Sequence, residues 1–280
     1  MKLRGCSWRD ALAALAWSAL PVAIAAAGVP PLLQATVVVN GLLALIWLWS
    51  RVRDIPVFAQ DETLASGARL GALFSVRMAL FYAAACALGA LPALLAGSFA
   101  PLLARAWAHR FACVGWLALG AAAATLAALL GTVPAGVPLF AALAAGVAWL
   151  LEDAAAGAPT LAHCGAERFV FYRLIGGAVT LPVASVVAGE NWLRQSPPHA
   201  WELMLLQIAL AATALLLRWG RRDHGRIDPR AVLLLPGALL LGLMLRVWPG
   251  WSDAAAALVV AAAAAASYQI QGTKRCVRAR

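Results

Sequence analysis

The sequence predicts an all-α protein, a polytopic bundle of about ten transmembrane helices. Of its 280 residues, 64% are hydrophobic and only 12% are charged, where a soluble domain carries roughly 25% charged residues. The charged residues are confined to short breaks between apolar runs, and a run of roughly 20 residues is long enough to cross a bilayer. A soluble globular class is excluded, because this much apolar surface could not be hidden inside one domain. We expect residues 1–280 to form a single integral membrane domain.

Nine apolar segments are long enough, or nearly so, to span the hydrocarbon core. The first continues into the second through two prolines and is too long for a cleaved signal peptide, so we expect it to be retained. The segments are residues 11–29, 31–50, 70–106, 111–131, 136–151, 169–188, 201–217, 231–247 and 251–268.

The block 70–106 decides the number of spans. As one helix it gives nine spans, and as a hairpin bent near residues 90–92 it gives ten. With ten spans every basic cluster lies on one side, whereas nine spans would place the densest cluster, in 218–230, outside, against the positive-inside rule. We therefore predict ten spans, with nine as the alternative, both termini in the cytoplasm and cytoplasmic loops at 51–69 and 218–230. The expected location is a bacterial-type inner membrane.

Charge and cysteine content exclude several other classes. The formal net charge is +10, but the arginines lie in short clusters beside apolar runs, where they hold loops against an anionic leaflet. We therefore expect a lipid bilayer as partner and no nucleic acid. The five cysteines are scattered without metal-ligand spacing, so we expect no zinc site, no disulfide framework, no metal and no cofactor.

The loop 51–69 is the first candidate functional segment. It carries Arg53, Asp54, Asp61 and Glu62, and Arg77 follows a little beyond it. This mixed-charge stretch is interpreted either as a coupling segment for a soluble partner or as a catalytic cap over the bundle. The alternative is a solvated loop, which is the usual role of a charge run.

The second candidate group is Glu152, Asp153 and Arg173, at the ends of neighbouring apolar runs. Ionisable groups in hydrocarbon snorkel, pair or line a polar path. Snorkelling explains Arg173, and a salt bridge to Glu152 or Glu167 is the alternative. The neighbouring His163 and Cys164 point apart and form no catalytic dyad, and we assign no catalytic residue.

Uncharged polar residues within the apolar runs are expected to form hydrogen bonds between helices. The best placed are Gln34, Asn40 and Gln207. The polar link 189–199, which carries Glu190, is predicted to be an ordinary loop on the other side of the membrane, with a binding lip as the alternative.

Two short segments resemble the intramembrane prenyltransferases of the UbiA type. Residues 62–67 are similar to the end of that family's Arg-Pro-x-x-Ser-Gly element, and residues 171–177 are similar to its Tyr-x-x-Arg-x-x-x-Gly helix start. The resemblance implies a prenyl or lipid transferase that uses Asp54, Asp61 and Glu62. The family's paired aspartate motifs are absent, although two magnesium ions bridging a diphosphate need several converging carboxylates.

The loop 51–69 is also similar in charge pattern to the cytoplasmic stretch of export-type permeases of ATP-binding-cassette systems. In that comparison Asp61 and Glu62 precede a helix that has Arg77 near its beginning. The resemblance implies no catalytic residues and a cytoplasmic ATPase that docks on loops 51–69 and 218–230.

We therefore expect a permease or transport component for a small or amphipathic substrate. The alternatives are the divergent transferase and an assembly subunit that joins other membrane subunits. Enzymatic activity is left open and is not favoured.

Overall fold

The computed structural model describes residues 8–58, 61–90, 92–94, 96–97, 136–191 and 197–218. Every regular element in these residues is helical, as the sequence predicts. The helices are α1 (Trp8–Ala26), α2 (Pro31–Val52), α3 (Thr63–Leu88), α4 (Gly136–Ala156), α5 (Ala166–Val187) and α6 (Ala200–Arg218), and a 3₁₀ turn at Pro159–Leu161 joins α4 to α5. The predicted spans 111–131, 231–247 and 251–268 and the loop 218–230 lie outside the described residues, apart from Arg218 at the end of α6.

Four of these helices, α2 to α5, are long and apolar enough to cross a membrane. The other two, α1 and α6, contain shorter apolar stretches at Leu15–Ala26 and Ala200–Leu215. The chain is therefore a helical membrane protein, although the predicted number of ten spans is not established by the described residues.

The ambiguous block 70–106 does not begin as one continuous helix. Helix α3 ends at Leu88, and Gly89 follows it with a φ of +86°, a conformation that favours glycine. The beginning of α3 also differs from the prediction. Because α3 begins at Thr63, residues 63–69 of the predicted loop 51–69 are helical, and Arg77 lies near the middle of α3 and not near its beginning.

Helix α3 is central and packs against α2, α4 and α5, while α1 packs against α6 and α2 against α5. Glycines allow the closest approach, between α3 and α5. A Cβ on Gly176 would lie only 2.5 Å from the carbonyl carbon of Gly71, and a Cβ on Gly71 would lie 2.6 Å from the carbonyl oxygen of Tyr172. This backbone contact between small residues gives α3 and α5 a fixed register, as expected where lipid supplies no hydrophobic drive between helices.

The links between helices meet in two groups, one at each end of the bundle. The α2–α3 link (53–62) and the α4–α5 link (157–165) lie together, and we call this the Asp61 end because Asp61 contacts Arg168 at the start of α5. The α1–α2 and α5–α6 links lie together at the other end, where Glu190 contacts the start of α2. We call this the Glu190 end.

Candidate functional site

Three of the candidate residues, Arg77, Glu152 and Arg173, form a charged cluster inside the bundle. The Glu152 side chain is only 1% exposed and lies between both arginines. Its Oε2 atom is 3.0 Å from Nε of Arg77, and its Oε1 atom accepts a hydrogen bond from Nε of Arg173. The predicted salt bridge of Arg173 is therefore made to Glu152 and not to Glu167. The carboxylate links α3, α4 and α5.

Arg77 is the most enclosed cation of the charged cluster. It lies roughly 20 Å along α3 from Thr63, and its side chain is 8% exposed. The carbon of its guanidinium is 5.2 Å from the ring centre of Phe74, 5.5 Å from that of Trp17 and 5.7 Å from that of Trp149. Aromatic faces attract a cation at this distance. An arginine can therefore be retained within the apolar part of the bundle.

A cavity adjoins the charged cluster. Its volume is about 30 Å³, which is room for one or two water molecules. Its walls are mostly aromatic and aliphatic, with Arg77 as the charged residue among the lining residues that the structure describes. Its lining includes Trp17, Arg77, Met78, Phe81, Ala145 and Trp149.

A second layer of polar contacts closes the Asp61 end. Asp61 pairs with Arg168 at 3.0 Å and accepts hydrogen bonds from the backbone N–H and hydroxyl of Thr63 at the start of α3. These two bonds, and then the charge of Arg168, lower the pKa of Asp61 below its usual range. The Thr63 hydroxyl is also 3.1 Å from the Tyr172 hydroxyl, so the first residue of α3 contacts α5 as well.

The remaining candidates lie outside the charged cluster. Arg53 follows the end of α2 with its guanidinium 4.8 Å from the Trp49 ring centre, and Asp54 has a φ of +52° in the turn that follows. Glu62 is exposed immediately before α3, and Asp153 is half-buried beside Glu152. The predicted residues therefore fall into two groups, the exposed residues of the α2–α3 link and the buried charged cluster.

The neighbouring residues His163 and Cys164 lie in the link between α4 and α5. His163 is exposed, whereas Cys164 is buried. Burial raises the pKa of the Cys164 thiol, so the thiolate needed for nucleophilic attack is disfavoured at neutral pH. The two neighbouring side chains therefore differ in burial.

At the Glu190 end, Glu190 is the charged residue among the described polar groups that bond inside the bundle. Its carboxylate accepts the backbone N–H groups of Leu32 and Leu33 at 3.1 and 2.7 Å and thereby caps α2. Gln34 of α2 and Gln207 of α6 are joined by a 2.7 Å hydrogen bond, so these two amides bond between helices as predicted. Asn40 instead bonds within α2, to the carbonyl of residue 36.

In the described part of the chain no group of three or more His, Cys, Asp or Glu side chains could hold a metal ion. Within the charged cluster, Glu152 is already shared by two guanidiniums. The cluster therefore places a buried network of one carboxylate and two guanidiniums beside a small apolar cavity.

Sequence reasoning identified all three members of the charged cluster but not their common contact. Arg77 was grouped with the preceding loop, because nothing in the local sequence shows that α3 and α4 lie side by side. The aromatic residues around it, Trp17, Phe74 and Trp149, were also missed. A lone arginine inside an apolar run could have indicated the contact, since such a residue requires a partner in the bundle interior.

No family model matches the sequence, and no curated protein matches it. In fold, the chain is similar to a solved structure whose title reads only "Crystal structure of protein", with a TM-score of 0.65 over 94% of this chain and 96% of that one. The two sequences are 20% identical. This likeness concerns the fold alone.

Proposed function

We propose that the protein is a transport component of the inner membrane, a permease that provides a path for an amphipathic substrate. The observation that carries the proposal is the buried Arg77 beside an apolar cavity inside a bundle of membrane-spanning helices. Ionisable residues within transmembrane segments are costly and typically mark substrate or ion pathways. Here the cost is reduced by Glu152 and by the surrounding rings, while one guanidinium still borders the cavity.

The placement of the links supports the ten-span topology that belongs to this proposal. A nine-span chain would place the 51–69 and 152–168 regions on opposite sides of the membrane. Ten spans place both in the cytoplasm, and the contact between Asp61 and Arg168 joins these same regions. The exposed Arg53, Asp54 and Glu62 then belong to a cytoplasmic surface on which an ATPase or another subunit would dock.

The transport proposal can be tested with purified protein in liposomes. A fluorescent alkyl phosphate in the inner leaflet is protected from an impermeant quencher added outside, and a permease should make that fraction accessible. We expect faster loss of the protected signal with the protein than without it, and a reduced rate with Arg77→Gln. Arg51→Gln is the matched control, because Arg51 is exposed against Trp47 at the end of α2.

A second candidate function is favoured by one specific contact. The two segments similar to the UbiA type, 62–67 and 171–177, lie far apart in sequence but pack together, with the Thr63 and Tyr172 hydroxyls 3.1 Å apart. A Cβ on Gly67 would lie 2.7 Å from the Tyr172 ring. This contact between the two segments supports a divergent lipid transferase as the second candidate.

The same preparation separates the two functions. A transferase would release diphosphate from a prenyl diphosphate in the presence of magnesium, and Asp61→Asn would abolish the release. Diphosphate release without any movement of the fluorescent lipid would overturn the transport proposal. Movement of the lipid without magnesium and without diphosphate release would support it.

A further inference from the structure

The polar contacts at the Asp61 end point to a conformational device. We propose that they form a gate on the transport path, which opens when the start of α3 separates from the α4–α5 link and from the start of α5. The inference rests on the proposed transport function, since it describes how that path opens and closes. Three contacts between side chains form the gate: Asp61 with Arg168, Thr63 with Tyr172, and Ser66 with Thr160.

The outer contacts of the gate are individually weak. Asp61 and Arg168 are 3.0 Å apart, with 43% and 23% of their side chains exposed. The Ser66 hydroxyl is 2.7 Å from that of Thr160, which is exposed as well. Because water competes for exposed ion pairs, breaking one changes an equilibrium by roughly fivefold at most. The start of α3 can therefore separate from its neighbours at a small cost.

The Glu190 end is held by more deeply buried groups. Gln34 and Gln207, both 0% exposed, are joined by a 2.7 Å hydrogen bond, and Glu190 accepts two backbone N–H groups of α2. A buried polar group that loses its partner is left unpaired away from water, which costs more than breaking an exposed contact. We therefore expect the bundle to open at the Asp61 end first.

The backbone contact between α3 and α5 supplies a pivot for this opening. The contact joins Gly71 to Gly176, and Gly71 lies eight residues beyond Thr63, roughly 12 Å along α3. Small residues at such a contact let two helices turn against each other without interlocking side chains. The starts of α3 and α5 can then move apart while the two helices stay in contact at the glycines.

Opening of the gate would lead to the charged cluster. Tyr172 lies under the gate, with its side chain only 1% exposed and its ring packed against Gly67 of α3. Arg173 follows it directly and donates a hydrogen bond to Glu152. Movement of α3 away from the Tyr172 ring would therefore give access to these buried charges from the Asp61 end.

A reversible disulfide across the gate tests whether transport requires it to open. Ser66→Cys and Thr160→Cys are combined in a chain whose native cysteines are replaced by alanine. The native hydroxyls are 2.7 Å apart, so thiols at these positions are within reach of a disulfide. We expect the oxidised chain to move the fluorescent alkyl phosphate at least tenfold more slowly, and reduction to restore the rate. Each single-cysteine variant is a control and should not respond to oxidation. An unchanged rate in the fully oxidised double variant would overturn the proposal.

Distances between spin labels measure the opening itself and require no cross-link. The labels are placed by Leu64→Cys and His163→Cys, at exposed positions on the two sides of the gate, in the same cysteine-free chain in nanodiscs. Asp61→Asn and Arg168→Gln should each increase the population with the longer distance roughly two- to fivefold. A single distance, identical in the native chain and in both variants, would overturn the proposal.

Two controls show whether the change is local to the gate. Glu62→Gln removes an exposed carboxylate next to Asp61 and should leave the distance populations unchanged. Labels at the exposed positions Ala87 and Val187, near the other ends of α3 and α5, should keep one distance in every variant. Equal broadening at both ends would indicate general loosening of the bundle and overturn the gate.

Failure of this inference can be distinguished from failure of the proposed function. Opening that increases with Asp61→Asn and Arg168→Gln, with no movement of lipid in liposomes, would refute transport but leave the conformational change intact. Movement of lipid that continues at the same rate in the oxidised double variant would leave transport intact but refute the gate.

Discussion

Replacing Glu152 with glutamine tests the energetics of the charged cluster most sharply. The variant keeps the shape of the side chain but leaves two guanidiniums without their shared carboxylate, one of them only 8% exposed. Removing one partner of a buried ion pair typically costs about 3 to 5 kcal/mol. We expect the loss of stability to lie toward the lower end of this range, because cation–π contacts with three rings still stabilise Arg77 and Arg173 is 21% exposed.

The free energy of unfolding in mixed micelles, measured by denaturant titration, gives the magnitude. Glu62→Gln is the matched control, since Glu62 is an exposed acid just before α3, and it should change stability by less than about 0.5 kcal/mol. The double variant Glu152→Gln with Arg77→Gln should recover part of the loss, because the buried charge is removed together with its partner. Equal stability of Glu152→Gln and the native chain would refute the assignment of Glu152 as a buried carboxylate that stabilises both arginines.

Three further outcomes are expected. Gly176→Ala should separate α3 from α5 and lower the free energy of unfolding by roughly 1 to 3 kcal/mol, the usual cost of overpacking. Gly136→Ala, whose added Cβ meets no described atom within 4 Å, should leave thermal unfolding unchanged, and equal effects of the two variants would contradict the close helix contact. Glu190→Ala should lower the free energy of unfolding by about 1 to 2 kcal/mol, because two N–H groups at the start of α2 lose their acceptor, and no loss would refute the cap. Because the pKa of Asp61 is lowered from 3.8 in the folded state, the stability it contributes should be present above that value and be lost as pH falls through the lowered pKa. Asp61→Asn should remove this part of the acid dependence, and identical acid profiles would contradict it.

Much of the fold can be predicted from the sequence, because lipid imposes a simple rule. The predicted spans 31–50, 136–151, 169–188 and 201–217 lie within α2, α4, α5 and α6 or within one residue of them. The helices extend beyond the hydrocarbon-length runs where polar residues continue the hydrogen-bonded backbone, as at Thr63 and Ser66 of α3. Apolar length therefore locates a span, whereas the end of its helix depends on capping and turn residues such as Gly89.

The candidate site was less predictable, because its members come from three helices. Sequence spacing shows which residues share a helix face but not which helices are neighbours. The backbone contact of Gly71 with Gly176 sets α3 beside α5, and Glu152 then comes within reach of both arginines. The charge pattern of the sequence identifies the members of the charged cluster, whereas their arrangement depends on how the helices pack through small residues.

The most direct test of the account is the movement of a fluorescent alkyl phosphate across liposomes that contain the purified protein. The account predicts faster movement with the native chain than with Arg77→Gln, and an unchanged rate with Arg51→Gln, because Arg51 is exposed at the end of α2. Equal rates for the native chain and folded Arg77→Gln would contradict the claim that the buried arginine marks the transport path.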